Sequence, residues 1–227
     1  WREAGQEVAA IASGEEAVLD WAREAGVPAQ ALRGAPAPQA PAFDVPFDYL
    51  FSVAHLRRLP AALVARAARQ ALNFHDGPLP RHAGLHAPAW ALMAGESGHG
   101  ITWHEVTEPL DRGRIAVQVP LPLAPDETAA SLNARCYEAG YQAFLALLPQ
   151  LGQGACALVA QQGGGHGHGR HDRPPLLATL DLRQGARELC ALVRALDFGP
   201  HANPLALPRL WFDGRLLRVR SARVVEA

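Results

Sequence analysis

The chain of 227 residues contains no lysine: arginine carries all 21 basic charges against 22 acidic ones, for a formal net charge of −1. A balanced total argues against a general affinity for nucleic acid, although a local basic patch can hide within it. With alanine abundant, we read the missing lysine as a GC-rich coding bias. Cysteine is scarce. Cys136, Cys156 and Cys190 stand far apart in apolar surroundings without metal-ligand spacing, which points to reduced core residues and not to a disulfide framework. Long apolar runs are missing too: none reaches about 18 residues, and no basic-then-apolar leader opens the chain. The expectation is a cytoplasmic protein without a membrane span. There is no glycine-rich dinucleotide fingerprint, so a nicotinamide cofactor is not supported. Hydrophobic residues, at 49%, still suffice for a sizeable core, and the charged fraction of 19% excludes global disorder.

The stretch around which the rest is organised is Asn73-Phe74-His75-Asp76-Gly77-Pro78-Leu79-Pro80-Arg81. Residues 71–75 read as a short apolar strand, and strand geometry points Asn73 and His75 to one face. Gly77, Pro78 and Pro80 then end the ladder, because closely spaced prolines can neither extend a strand nor start a long helix. An amide and an imidazole thus stand where a strand opens into a rigid loop, the place where ligands bind in open α/β sheets.

This stretch, continued through His82-Ala83-Gly84, resembles the Asn-x-His signature and the Leu-Pro-x-x-x-Gly loop of the 10-formyltetrahydrofolate-dependent formyltransferases. Further motifs in matching order are His99-Gly100-Ile101-Thr102-Trp103-His104 and Leu110-Asp111-Arg112-Gly113-Arg114-Ile115. The family includes methionyl-tRNA formyltransferases and the formyltransferase domains of peptide-synthetase assembly lines. The resemblance implies an α/β, Rossmann-like domain with a mostly parallel sheet, here lacking its first strand, over residues 1–158. It further implies a Gly/His-rich linker over 159–175 and a partial, β-rich unit of oligonucleotide-binding type over 176–227. Asn73, His75 and Asp111 match the family's catalytic triad. The donor, 10-formyltetrahydrofolate, is expected against Leu79, Pro80, Arg81 and Gly84, with Phe51 and Ser52 lining the folate side; the chemistry needs no metal. The acceptor is a primary amine on an aminoacyl-tRNA or on an aminoacyl carrier protein, the latter implying further synthetase domains. A non-catalytic recognition module and a hydrolase of the formyl donor are the competing readings.

Along the chain, residues 7–12 and 47–54 read as buried strands, the latter near-continuously apolar as in a sheet covered on both faces. Helices are expected over 15–25 with Ser13 as cap, over 60–69, over 87–96 with Trp90 packed inward, over 127–151 capped by Asp126, and over 186–195. The strands at 100–107 and 114–123 are close enough to pair antiparallel. Asp213-Gly214 between apolar runs signals a hairpin. His82 and His86 replace side chains usual in the family, Asp76 has no assigned role, and His104 reads as structural. The tract Gly163-Gly164-Gly165-His166-Gly167-His168-Gly169-Arg170-His171 reads by composition as a flexible linker. Its histidines are compatible with metal binding, but a glycine-rich chain pays a large ordering entropy to gather ligands.

Overall fold

A computed structural model of the protein describes residues 5–32 and 45–225. The first unit is strand β1 (Ile11–Ser13), helix α1 (Glu16–Glu24) and strand β2 (Ala29–Ala31), which pairs parallel with β1. Ser13 does not cap α1. Its Oγ accepts from the Glu15 N–H at 3.1 Å, and the helix starts without a side-chain cap. Gly26 ends the turn that follows, at φ +67.

The main sheet is built from β3 (Phe47–Ser52), β4 (Ala67–His75), β6 (Gly98–Glu105) and β7 (Ile115–Pro122), in that spatial order. β3 and β4 are parallel; β4 to β6 and β6 to β7 are antiparallel, the latter as expected from the short connection. The helix expected over 60–69 is only one turn, α2 (Ala61–Val64). The residues beyond it are taken by the sheet, because Ala67 and Gln70 pair with Phe47 and Tyr49 and so lengthen β4. A short strand β5 (Ala83–Gly84) and helix α3 (Ala87–Met93) lie between β4 and β6.

Helix α4 (Ala129–Gly152) covers one face of the sheet. Its cap is Thr128 and not Asp126: Thr128 Oγ1 accepts from the Ser131 N–H, and Ser131 Oγ accepts from the Thr128 N–H. Gly140 allows α4 to approach closely, since a Cβ there would stand 2.2 Å from the Phe74 ring. Trp103 donates its indole N–H to the Gly140 carbonyl at 2.9 Å. Leu72, Phe74, Ile101, Trp103, Leu132, Cys136 and Leu147 are buried in the resulting core, and all three cysteines are free and buried.

After α4 the chain returns to the sheet through β8 (Gly167–His168), a 3-10 turn (Pro175–Ala178) and helix α5 (Ala186–Ala195). Ala178, Ala195, Leu196 and Leu205 enter the same core as the sheet, so residues 176–205 share the interior of the sheet and α4. Beyond them stands the hairpin of β9 (Arg209–Phe212) and β10 (Arg215–Arg218). Its turn is made by Asp213 and Gly214 at φ +47 and +70, the left-handed pair that a two-residue hairpin of matching twist requires.

Candidate active site

β4 separates its side chains by alternation. Phe74 points into the core beneath α4, while Asn73 and His75 point to the other face, where their cross-strand partners on β6 are His104 and Thr102. Thr102, fully buried, fixes the loop that leaves β4: its hydroxyl donates to the Gly77 carbonyl at 2.7 Å and accepts from the Leu79 N–H at 3.1 Å. Gln118 completes the brace by donating to the Leu79 carbonyl at 2.8 Å and to Thr102 Oγ1 at 3.0 Å. The loop is therefore tied to the sheet at both ends of its tight turn.

Asn73, His75, Gly84, His104 and Asp111 line one cavity of about 1020 Å³. Asn73 Nδ2 lies 3.1 Å from His104 Nε2, and His104 Nε2 lies 3.4 Å from Asp111 Oδ1. The other ring nitrogen, His104 Nδ1, donates to the Glu105 carbonyl at 2.9 Å, since a carbonyl can only accept. Nε2 of the neutral ring is thus a lone pair facing the Asn73 amide. A proton added there would be held by the Asp111 carboxylate. The second Asp111 oxygen, Oδ2, accepts from the Gly84 N–H at 2.8 Å. Asp111 itself sits at φ +56, a left-handed conformation that its short polar side chain tolerates.

His75 is almost wholly enclosed and stands edge-on to His104, with ring centroids 6.3 Å apart. Its Nε2 donates to the His82 carbonyl at 2.9 Å, so the neutral ring carries its lone pair on Nδ1, which faces Asp76 Oδ1 at 3.9 Å. Burial pushes the Asp111 carboxyl upward, but the His104 contact, the charge of His75 and the Gly84 N–H outweigh it, and the net shift is below the ordinary aspartate value. A depressed folded-state pKa stabilises the fold above the unfolded value and loses that contribution as pH falls through the folded one. The stability that the wild type holds over Asp111→Asn in urea is accordingly expected to shrink as pH falls below about 4. A difference that did not shrink there would mean that the Asp111 carboxylate is not the group that titrates.

The structure thus brings the three sequence-predicted catalytic residues to one cavity, and Gly84 with them. Ser52 lines this cavity and also a neighbouring one of about 780 Å³. Phe51 lines only the neighbour and packs edge-on against Phe144 and Trp103. Leu79, Pro80 and Arg81 do not line the main cavity. Leu79 is buried as the anchor of the loop, and Arg81 pairs with Glu96 at 3.2 Å. His104, read from sequence as structural, is the link between Asn73 and Asp111. Its alternation with Thr102 put it on a definite face, but only the β4 to β6 register shows that this face is Asn73's. Asn133 and Tyr137 of α4 also line the cavity and carried no sequence signal.

The Gly/His-rich tract is an ordered strap and not a free linker. β8 pairs with β5, Ala83 opposite Gly167 and Gly84 opposite His168. Gln161 donates to the Asp111 and Gly113 carbonyls at 3.0 and 2.8 Å, and Arg112 donates to the Gly165 carbonyl at 3.3 Å. Glycine is required where the strap crosses: a Cβ on Gly165 would stand 1.7 Å from the Pro80 carbonyl oxygen, and one on Gly84 2.1 Å from that of His168. The backbone partners offered by the loops after β4 and around Asp111 order a segment whose composition suggests none.

An α/β sheet that gathers an amide, two imidazoles and a carboxylate at the end of one strand defines a site for acid–base and oxyanion chemistry on a small group. The model for the formyl transferase family matches residues 39–148, and this part of the chain belongs to that family. The methionyl-tRNA formyltransferase of Acidithiobacillus ferrooxidans is 34% identical over 180 residues, covering 79% of this chain and 55% of the relative. The chain spans 55% of the length of this relative and of the methionyl-tRNA formyltransferase of Koribacter versatilis. Among solved structures, a likely sugar N-formyltransferase from Mycobacterium tuberculosis superposes with a TM-score of 0.72 at 20% identity, over 96% of this chain and 97% of the other. HypX from Aquifex aeolicus in complex with tetrahydrofolic acid superposes with a TM-score of 0.61 at 21% identity, over 74% and 28%. Among the described residues, no helix is long and apolar enough to cross a membrane.

Proposed function

We propose that the cavity transfers a formyl group from 10-formyltetrahydrofolate to a primary amine. The observation that carries this reading is the linked set Asn73, His104 and Asp111, with His75 beside it, at the mouth of a braced loop. The amine nitrogen bonds to the formyl carbon, the bond from that carbon to the folate nitrogen breaks, and one proton passes from the amine to the departing nitrogen. The Asn73 amide, one of whose hydrogens is lent to the Phe74 carbonyl at 3.1 Å, turns that hydrogen to the oxygen that becomes negative. His75 Nδ1 takes the amine proton. Asp111, ionised throughout, stabilises the positive charge that develops on the attacking nitrogen and on the imidazoles. The family match and the folate-bound relative support the donor.

For the acceptor, the curated relatives support an aminoacyl-tRNA, while the fold shared almost end to end with a likely sugar N-formyltransferase favours an amino sugar. Tetrahydrofolate release should be followed with donor alone and with each amine: aminoacyl-tRNA, aminoacyl carrier protein and a nucleotide-linked amino sugar. Release that depends on one acceptor and disappears in His75→Ala is the expected result. Formate release without any amine would make the protein a hydrolase of the donor. Donor binding without turnover would make it a recognition module.

A further inference from the structure

We propose that His166, His168 and Asp172 form a binding site for one divalent transition-metal cation of the zinc class. Each offers one ligand atom, and the three atoms lie within 4.8 Å of one another, with His168 Nδ1 4.0 Å from Asp172 Oδ2. Two imidazoles and a carboxylate suit zinc, nickel, cobalt or copper, and do not suit calcium or magnesium, which take oxygen ligands.

The usual objection to a glycine-rich histidine tract is the entropy of gathering it. Here the fold has already met that cost. Gly167 and His168 are paired to β5, and the Leu85 N–H donates to the His168 carbonyl at 2.8 Å. The His168 ring is stacked on the Trp90 indole at 4.3 Å and 8°, and beside the His82 ring at 5.8 Å and 19°. Asp172 is held by a turn closed in both directions: its Oδ2 accepts from the Gly169 N–H at 2.8 Å, and its own N–H donates to the Gly169 carbonyl at 3.2 Å. His166 reaches the same point from the exposed side, its ring 5.1 Å from that of His168 and nearly perpendicular.

Ligand atoms of a tetrahedral zinc ion stand roughly 3.4 Å apart, so the widest pair must close by up to about 1.4 Å. Rotation of the exposed His166 and of the Asp172 carboxylate provides this without moving the paired backbone. Water fills the remaining positions. The site lies one backbone pair from the catalytic loop, since Gly84 faces His168 and holds Asp111 through its N–H. A bound cation would therefore pin the strap over that loop, whichever amine the cavity serves.

The test is titration of the untagged full chain with Zn²⁺ by calorimetry and with Co²⁺ by tryptophan fluorescence. One Zn²⁺ per chain is expected, with a raised Tm, and Co²⁺ should quench emission because the stacked ring of a ligand touches Trp90. His166→Ala and Asp172→Asn, both changing partly exposed side chains, should weaken binding by at least about tenfold. His201→Ala, an exposed histidine outside the cluster, should leave it unchanged. Binding that is unaffected by His166→Ala and Asp172→Asn, or no binding up to millimolar Zn²⁺, would overturn the proposal.

Discussion

Asp111→Asn is expected to lower the rate of amine-dependent tetrahydrofolate release by about two to three orders of magnitude, with little change in donor affinity and only the small loss of Tm that the depressed Asp111 pKa implies. The change is isosteric. The amide oxygen can still accept from the Gly84 N–H, so the backbone bond that holds the loop survives. What disappears is a negative charge that, in a largely enclosed site, acts on His104, on His75 and on the nitrogen that becomes positive during attack. Because that positive charge exists only on the way to the intermediate, the loss falls on kcat and not on KM. Single-turnover rates and donor binding measured on the same preparation check this. A variant retaining more than about a tenth of wild-type kcat would mean that the carboxylate only holds the loop, and the proposed division of roles would fail.

How far the sequence discloses the site depends on which contacts are local. Asn73 and His75 are two residues apart on one strand, so period-two geometry alone puts them on a common face, and the prolines after them announce the loop. The Asp213-Gly214 hairpin is legible for the same reason, its turn chemistry being contained in two residues. His104 and the strap are not local. The bond between Asn73 and His104 depends on a strand register set across 31 positions, and nothing in either segment fixes that register by itself. The strap fails differently. Its composition correctly reports that it has no intrinsic structure, but the order comes from the Ala83 and Gly84 backbone and from loop carbonyls accepting from Gln161, none of which composition can register. The length of α2 is not legible for the same reason, because the pairing that places Ala67 and Gln70 in the sheet is decided by the partner strand β3.

Gly113→Ala should show what that non-local scaffold contributes. A Cβ at Gly113 would stand 1.9 Å from the carbonyl oxygen of Glu105, with the Glu105 Cβ also at 3.1 Å, so the backbone of β6 or of the Asp111 loop has to move. Both directions damage the site. The Glu105 carbonyl accepts the Nδ1–H of His104 at 2.9 Å, so displacing it unseats the ring that links Asn73 to Asp111. Displacing the loop instead breaks the bonds from Gln161 to the Asp111 and Gly113 carbonyls and pulls the strap from its place. Overpacking of this kind costs about 1–3 kcal/mol, and we expect a lowered Tm together with a loss of turnover of at least about 100-fold, since a misplacement of about 1 Å suffices for that. The size of the Tm loss separates this variant from Asp111→Asn, whose isosteric change adds no volume. Gly164→Ala supplies the control: the added Cβ meets nothing within 4 Å, so the same chemical change on the strap should leave both quantities unchanged. If Gly113→Ala kept wild-type turnover, the position of the Asp111 loop against β6 would not matter to the reaction, and the linkage from Asn73 through His104 to the carboxylate would lose its functional meaning.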